Sequence, residues 1–477
     1  MRALFVLVVG LGAPGLLPAL AVARRSPVVV FLAPLIGALM AAVAAVIELG
    51  LGGSLPADYA AVAVTANLAV IAWWLAAGRS RPQWAGPARE WSVVTVVVVL
   101  SCLAVSLNAL RSPGIGWDAN SIWLTHAMMV YGGHHELLTG LQNVAYQFSN
   151  PDYPPLVPAA GALAFTFFGF ANLHLAVDMT VLLSACALGV VGTGIAATGS
   201  RGHQPARIAA VAGAGAICLV GFAVGALAIV GYTDLLWAAA AVGAVIWGLV
   251  LPHSPQALGV AWICAAVASL TKNEGLTTAL IILVLIALRY RPLSRPGPAA
   301  RTWAERVAFV VLPALPGLCW AGLIRRIGVH DAFFRSASTE SPLTRAGATI
   351  TGMAAHLAVA PVALAVLLAG CWFLRADRQR AQLANPAWLW IACLGSLVII
   401  FATYVAGGLE IHSWLLNSVN RTTIFAQVLL YSEIAIWLVI AVEGAVSRAD
   451  SEPFTRTDSE RSRPQPPVRT TSDQLRR

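Results

Sequence analysis

Long apolar runs separated by short polar segments make up most of this chain. A run of about 20 apolar residues is long enough to cross the hydrocarbon core as an α-helix, whereas the strands of a membrane β-barrel alternate over about ten residues. The pattern therefore predicts an all-α polytopic membrane protein with about 13 transmembrane helices. The runs lie at 3–23, 27–51, 58–78, 91–110, 154–170, 172–197, 207–230, 234–251, 257–271, 275–289, 306–324, 346–374, 386–407 and 422–446.

Composition agrees with a membrane protein. Hydrophobic residues make up 58% of the 477 residues and charged residues only 11%, with a mean hydropathy of +0.77. Soluble domains carry about 25% charged residues, so an ordinary cytosolic enzyme and a disordered chain are excluded. The net charge of +9 does not indicate nucleic-acid binding, because the basic residues sit in short clusters between apolar runs.

Arginine clusters predict the orientation. Lys and Arg concentrate in cytoplasmic loops, so Arg24, residues 79–89, residues 201–207, residues 289–306, residues 375–380 and the tail are expected inside. All clusters fall on that side only if residues 154–170 do not cross the bilayer. We therefore predict that this segment is re-entrant or interfacial, with the N-terminus outside and the C-terminus inside. The run 3–23 is kept as a span because it lacks the features of a cleaved signal peptide.

The predicted topology places five polar segments on the extracytoplasmic face, at residues 111–153, 231–234, 271–275, 325–345 and 408–421. Ionisable residues are costly inside a membrane, so their convergence on one side predicts a single site at the membrane surface. The seven cysteines lie inside apolar runs and are expected to be free thiols that bind no metal.

Four acidic residues of these segments are candidates for the site. Asp118 follows a span in Trp117-Asp118, Asp152 precedes Tyr153-Pro154-Pro155, and Asp234 follows Thr233. Each could instead cap the helix that begins there. Glu274 follows Asn273 and Lys272, which is the only lysine of the chain. The alternative for Lys272 and Glu274 is a turn in which the two charges neutralise each other.

Basic residues supply the other half of the predicted site. Arg421 comes just before the last span, after His412-Ser413-Trp414, and can bind phosphate in a bidentate fork or anchor the helix at the interface. The outer segment at 325–345 adds Arg325, Arg326, Arg335 and Arg345. A zinc site at His134-His135-Glu136 is not expected, because adjacent histidines on a helix point in different directions.

These motifs, in this order and on one predicted side, resemble those of the bacterial GT-C membrane glycosyltransferases. The branch is the one that includes protein O-mannosyltransferases and the aminoarabinose transferase of lipid A. The resemblance covers roughly residues 91–290 and the last span. Residues 1–90 are then an added N-terminal helical extension, 291–446 the C-terminal transmembrane helices and 447–477 a disordered cytoplasmic tail.

The resemblance implies an inverting transfer of a sugar from a polyprenyl-phosphate donor to an envelope glycan, lipid or protein acceptor on the outer face of the cell membrane. Asp118 matches the family's catalytic base. Asp152, Tyr153, Asn273 and His412 are expected to bind substrate, Lys272 and Arg421 to hold the phosphate, and Asp234 and Glu274 to orient groups nearby. Some family members have a second acidic residue beside the base; Ala119 follows Asp118 here, so a divalent metal is not favoured.

A secondary transporter or lipid flippase is the alternative function. Such proteins place ionisable residues at mid-membrane and often contain internal repeats. Glu48, Asp178, Glu433 and Glu443 lie within apolar runs and would carry such a pathway, although the sequence contains no clear repeat. A third possible function is that of a non-catalytic scaffold in assembly of the cell envelope.

Overall fold

A computed structural model describes residues 1–24, 26–76, 89–110, 114–199, 203–251, 254–289, 299–329, 339–373 and 386–451. The described residues form helices and connecting turns, with no strand among them. Eight of the helices in these ranges are long and apolar enough to cross a membrane, or nine if the bent pair Pro342–His356 and Val359–Gly370 counts as one span. The chain is therefore an all-α membrane protein, and the count of thirteen spans stays a prediction.

The helices are numbered here in chain order. The first nine are α1 (Arg2–Ala23), α2 (Val28–Leu51), α3 (Leu55–Ala76), α4 (Arg89–Leu110), α5 (Thr125–Tyr131), α6 (His134–Gln142), α7 (Leu156–Phe168), α8 (Leu173–Thr198) and α9 (Gln204–Val224). The others are α10 (Asp234–Val250), α11 (Pro255–Thr271), α12 (Asn273–Arg289), α13 (Ala299–Arg326), α14 (Pro342–His356), α15 (Val359–Phe373), α16 (Pro386–Ala406), α17 (Ile411–Thr422) and α18 (Ile424–Ser451). Short helical turns at Ala119–Leu124, Val144–Ser149 and Ala226–Val230 join some of them.

Capping side chains fix where several of these helices begin. Ser254 Oγ accepts a hydrogen bond of 3.0 Å from the Ala257 amide at the start of α11, and Asn172 Oδ1 accepts one of 3.1 Å from Leu175 at the start of α8. The Glu410 carboxylate accepts from two amides at the start of α17. These bonds satisfy amides that have no partner within the helix.

The most buried helices pack around α10. Residues Asp234–Val245 are all buried between α8, α11 and α18. α2 also lies inside the bundle, packed against α7, α8 and α11, so the N-terminal residues are in direct contact with the later helices. The division of the chain at residue 90 stays a prediction, and the tail beyond Ser451 lies outside the described residues.

Helix α7 is the segment that we predict not to cross the bilayer. Its 13 residues span about 20 Å, less than the hydrocarbon core of about 30 Å. Gly161, near the middle of this helix, packs against Ala127 of α5 and Ala176 in the first turn of α8. The beginning of α8 thus lies beside the middle of α7, and the re-entrant or interfacial placement of this segment stays a prediction.

The cysteines of the described residues are free thiols, as the sequence predicts. Residues 201–202 and most of the other arginine clusters lie outside the described residues, so the predicted orientation stays a prediction.

Candidate functional site

Asp118 occupies the N-cap position of the helical turn Ala119–Leu124, but its side chain makes no capping hydrogen bond. Its carboxylate Oδ2 instead accepts a hydrogen bond from Nη2 of Arg421, which is 303 residues away along the chain. The side chain is almost completely buried. The capping alternative is therefore not what holds this carboxylate, because the Arg421 guanidinium holds it instead.

Asp234 bridges the two cations of the site. It lies in the first turn of α10, and Oδ2 accepts from Arg421 Nε at 2.9 Å while Oδ1 accepts from Lys272 Nζ at 2.8 Å. The neighbouring Thr233 is the N-cap residue, but no capping bond from its side chain is present. Because Asp234 is only 2% exposed, both ion pairs form in a region largely shielded from water.

Lys272 separates α11 from α12. Its backbone is extended, at φ −157° and ψ 157°, and its carbonyl accepts from the Leu276 amide in the first turn of α12. The ammonium group also lies 3.3 Å from Glu274 Oε1. A Cβ atom at Gly275 would lie 2.1 Å from the Ala268 carbonyl oxygen, so glycine is required for this tight connection. The lysine and Glu274 do form the neutralising pair, but Asp234 joins them to a larger cluster.

Asp152 and Asn273 connect the entry of α7 to this cluster. The Asn273 side-chain amide donates to Asp152 Oδ2, and the Asp152 carbonyl accepts from the indole of Trp320 on α13 at 3.0 Å. Asp152 is half-buried and precedes α7 by four residues. Its carboxylate thus fixes the segment that carries Tyr153 instead of capping α7.

Tyr153 lies between an indole and the lysine. Its ring stacks on Trp123 with centroids 5.4 Å apart, and the Lys272 ammonium is 5.5 Å from the ring centroid. Burial, followed by the nearby carboxylates of Glu274 and Asp152, raises the pKa of the Tyr153 phenol well above its usual value. The phenol therefore stays neutral and can serve as a hydrogen-bond donor to a ligand.

Arg421 is the residue that joins the elements together. It lies in the last turn of α17, two residues before Thr423, the break that separates α17 from α18. Its guanidinium bonds to Asp118 and Asp234 and lies over the ring of Tyr232, 4.5 Å from the centroid. Residues from three separate polar segments, at 111–153, 231–234 and 408–421, thus meet at this side chain.

The cluster contains more carboxylates than cations. Asp118, Asp152, Asp234 and Glu274 face two positively charged groups, Lys272 and Arg421. Burial raises the pKa of the Asp118 carboxyl above its usual value, and the Arg421 guanidinium opposes that rise. A carboxylate with a raised pKa is a stronger proton acceptor than one with the ordinary value.

Not all predicted residues join the cluster. His412 lies on the exposed side of the first turn of α17, where its backbone amide donates to Glu410. Arg325 and Arg326 are exposed at the end of α13, and Arg335 lies outside the described residues.

The predicted role of Arg345 in phosphate binding does not fit its surroundings. Its guanidinium is 1% exposed and donates to the backbone carbonyls of Tyr404 and Leu409 and to the Glu340 carboxylate. Because these partners occupy the fork, Arg345 is a structural link between α14 and the end of α16 instead of an anion ligand.

Two contacts of the site were not expected from the sequence. Tyr232 provides the ring beneath Arg421, and Trp320 provides the donor to the Asp152 carbonyl. Tyr232 lies in the polar segment at residues 231–234, and its place in that segment was the available signal. Nothing in the sequence around Trp320 distinguishes it from other indoles of apolar runs.

Within the described ranges, no three His, Cys, Asp or Glu residues are arranged to hold a metal ion. His134 Nδ1 bonds instead to the Glu48 carbonyl at 2.7 Å, which joins α6 to the end of α2.

The chain matches no protein-family model, no curated protein and no solved structure.

Proposed function

We propose that the protein is a membrane glycosyltransferase of the GT-C type. It moves a sugar from a polyprenyl-phosphate donor to an acceptor hydroxyl on the extracytoplasmic face of the cell membrane. The observation that carries the proposal is the meeting of Asp118 with Arg421 and, through Asp234, with Lys272. One candidate base and two candidate phosphate ligands thus lie in a single buried cluster.

The reaction needs a base for the acceptor and positive charge for the leaving group. The acceptor oxygen attacks the anomeric carbon while the bond from that carbon to the phosphate oxygen breaks, which inverts the configuration. Asp118 takes the hydroxyl proton, and the polyprenyl phosphate leaves with the electron pair. Phosphate is a good leaving group, so a strong general acid is not required.

The two cations suit the departing phosphate. Arg421 uses Nε and Nη2 for carboxylates, and an arginine carries five N–H donors in all, so its fork can contact phosphate oxygens as well. Lys272 adds a second charge on the other side of Asp234. Cations fixed where negative charge develops stabilise a transition state without reorganising.

The remaining residues have supporting roles in the proposal. Glu274 and Asp234 hold the two cations, and Asp152, Asn273 and Tyr153 form the wall at the entry of α7. The apolar exterior of the helices provides contact with the bilayer in which a polyprenyl chain resides. Residues 91–290 supply this wall and every other group that has a role in the proposal, except Arg421.

Donor cleavage by the purified protein tests the proposal without knowledge of the acceptor, because water can replace it. The protein in lipid nanodiscs is incubated with radiolabelled polyprenyl-phosphate hexoses and pentoses, and release of free sugar is measured. We expect one donor to be cleaved by the wild type and by Asp178→Asn, which removes a control carboxylate on α8 that is not part of the cluster.

The Asp118→Asn variant is expected to lose nearly all cleavage while remaining monodisperse. The same rate in Asp118→Asn and wild type would contradict the proposal. Movement of an intact labelled donor across vesicles, without cleavage of the sugar–phosphate bond, would favour the transporter or flippase alternative.

A further inference from the structure

We infer that Tyr232 is a positioning residue for Arg421, an inference that rests on the proposed function. The guanidinium carbon lies 4.5 Å from the centroid of the Tyr232 ring, within the range of a favourable cation–π contact. Asp118 and Asp234 hold the same guanidinium through ion pairs. Arg421 is therefore held by two carboxylates and one aromatic face.

The loop that carries Asp118 is shaped to accommodate this ring. The Gly116 amide donates to the Val230 carbonyl at 2.9 Å, which pairs the two loops. A Cβ atom at Gly116 would lie 2.2 Å from Cε2 of Tyr232. The absence of a side chain at position 116 is thus a requirement for the ring to lie where it does.

The loop that carries Tyr232 has a matching requirement. Gly231 has φ +91°, a conformation that side-chain-bearing residues rarely adopt. A Cβ atom there would also lie 2.7 Å from the Ala119 Cβ. Two glycines therefore allow the segments bearing Asp118 and Asp234 to approach each other, with the ring of Tyr232 against Gly116.

An aromatic ring holds an arginine differently from a carboxylate. A phosphate that reaches Arg421 competes with Asp118 and Asp234 for the same N–H donors, because all three are anionic acceptors. The ring attracts the guanidinium through its π face and carries no anionic oxygen that competes with phosphate for the N–H donors. Tyr232 therefore keeps Arg421 in place while its ion-pair partners change during donor binding.

Binding of farnesyl phosphate tests the inference, with farnesol as the probe that lacks phosphate. Calorimetric titration of the protein in nanodiscs compares wild type with Tyr232→Phe and Tyr232→Leu. The Phe variant keeps the ring and is expected to bind within about twofold of wild type. The Leu variant loses it and is expected to bind about 3- to 30-fold more weakly, with unchanged farnesol binding.

A second set of variants separates positioning from folding. Tyr131→Leu removes a ring of α5 that packs on Phe165 and not on a cation, and it should leave binding unchanged. In an Arg421→Ala background, Tyr232→Leu should weaken binding no further, because the ring then has no guanidinium to hold.

The outcomes distinguish the two proposals. Additive losses in the Arg421→Ala background, or equal losses for Phe and Leu at position 232, would overturn the role of Tyr232. Normal farnesyl phosphate binding by Arg421→Ala would instead remove Arg421 from the phosphate site and overturn the proposed function in its present form.

Discussion

Two arginines at low exposure, Arg345 and Arg421, have opposite surroundings in this protein. Both precede long apolar runs in the sequence, and both donate several hydrogen bonds in the folded chain. Arg345 donates mainly to backbone carbonyls, whereas the hydrogen bonds of Arg421 go to side-chain carboxylates.

The partners of Arg345 exist because a helix ends. The last carbonyls of α16 have no amide within the helix to accept from, and Tyr404 O accepts from Nη2 of Arg345 at 2.6 Å. Leu409 O, beyond the helix end, accepts from Nη1 at 2.7 Å. Carbonyl oxygens neither titrate nor move away without unfolding the segment, so this arginine stabilises the structure.

The partners of Arg421 come from unrelated parts of the chain and can change their charge or position. Asp118 lies after α4, and Asp234 begins α10. A side-chain carboxylate can rotate, accept a proton or bind a different donor. In this protein the type of acceptor, more than burial, separates a structural arginine from one suited to chemistry.

The largest effect that tests this comparison is a loss of stability at Arg345. Arg345→Met removes the guanidinium and leaves buried carbonyls without a donor, so we expect the free energy of unfolding to fall by about 3 kcal/mol. Thermal unfolding of the purified protein in detergent measures the change. Farnesyl phosphate binding per folded molecule should equal that of wild type, and a selective loss of binding would contradict the structural role.

The next effect is a loss of phosphate binding at Arg421. Arg421→Ala should weaken farnesyl phosphate binding about 10- to 100-fold, which corresponds to one charge-assisted hydrogen bond of about 1.5–3 kcal/mol. Arg421→Lys should restore only part of it, because an ammonium group cannot bind two oxygens in one plane.

Arg326→Ala is the matched control, since that arginine is exposed at the end of α13. It should bind like wild type. Lower stability of Arg421→Ala with unchanged binding would assign Arg421 the same structural role as Arg345.

The smallest effect is a shift in pH dependence. Asp118 must be ionised to accept a proton, and Arg421 lowers the pKa of that carboxyl against the rise caused by burial. Removing the guanidinium in Arg421→Gln should therefore move the acidic limb of donor cleavage to higher pH. The measurement is the rate of donor cleavage from pH 5 to pH 9 at saturating donor, with Arg326→Gln as the control. An unchanged acidic limb in Arg421→Gln would show that the guanidinium does not influence the pKa of Asp118.

Much of the candidate site is predictable from the sequence because charge is rare in this chain. With 11% charged residues, each polar interruption between apolar runs is conspicuous, and the sequence indicates Asp118, Asp152, Asp234, Lys272 and Arg421 in this way. The physical reason is that an ionisable residue in an apolar chain needs an oppositely charged or hydrogen-bonding partner. In the structure each of these five residues has such a partner.

The sequence could not separate the arginines or foresee the aromatic contacts. Arg345 and Arg421 both stand just before an apolar run, so their positions in the sequence do not distinguish them. They differ in the structure because Arg345 lies beside the last carbonyls of α16. His412 lies in a motif with Arg421 but nine residues earlier on α17, and it is exposed. Which face of a helix meets which neighbour depends on packing, and no local pattern encodes it.

The pattern of apolar runs is enough to establish that this is an all-α membrane protein and where its polar segments lie. Those properties follow from the cost of exposing polar groups to lipid, a cost that each segment bears individually. Helix packing, which the local pattern does not reveal, joins Asp118 to Asp234 through Arg421, brings Tyr232 against that arginine and engages Arg345 elsewhere. Those contacts link residues up to 303 positions apart, and they form because the packed helices bring the ends of separate segments together.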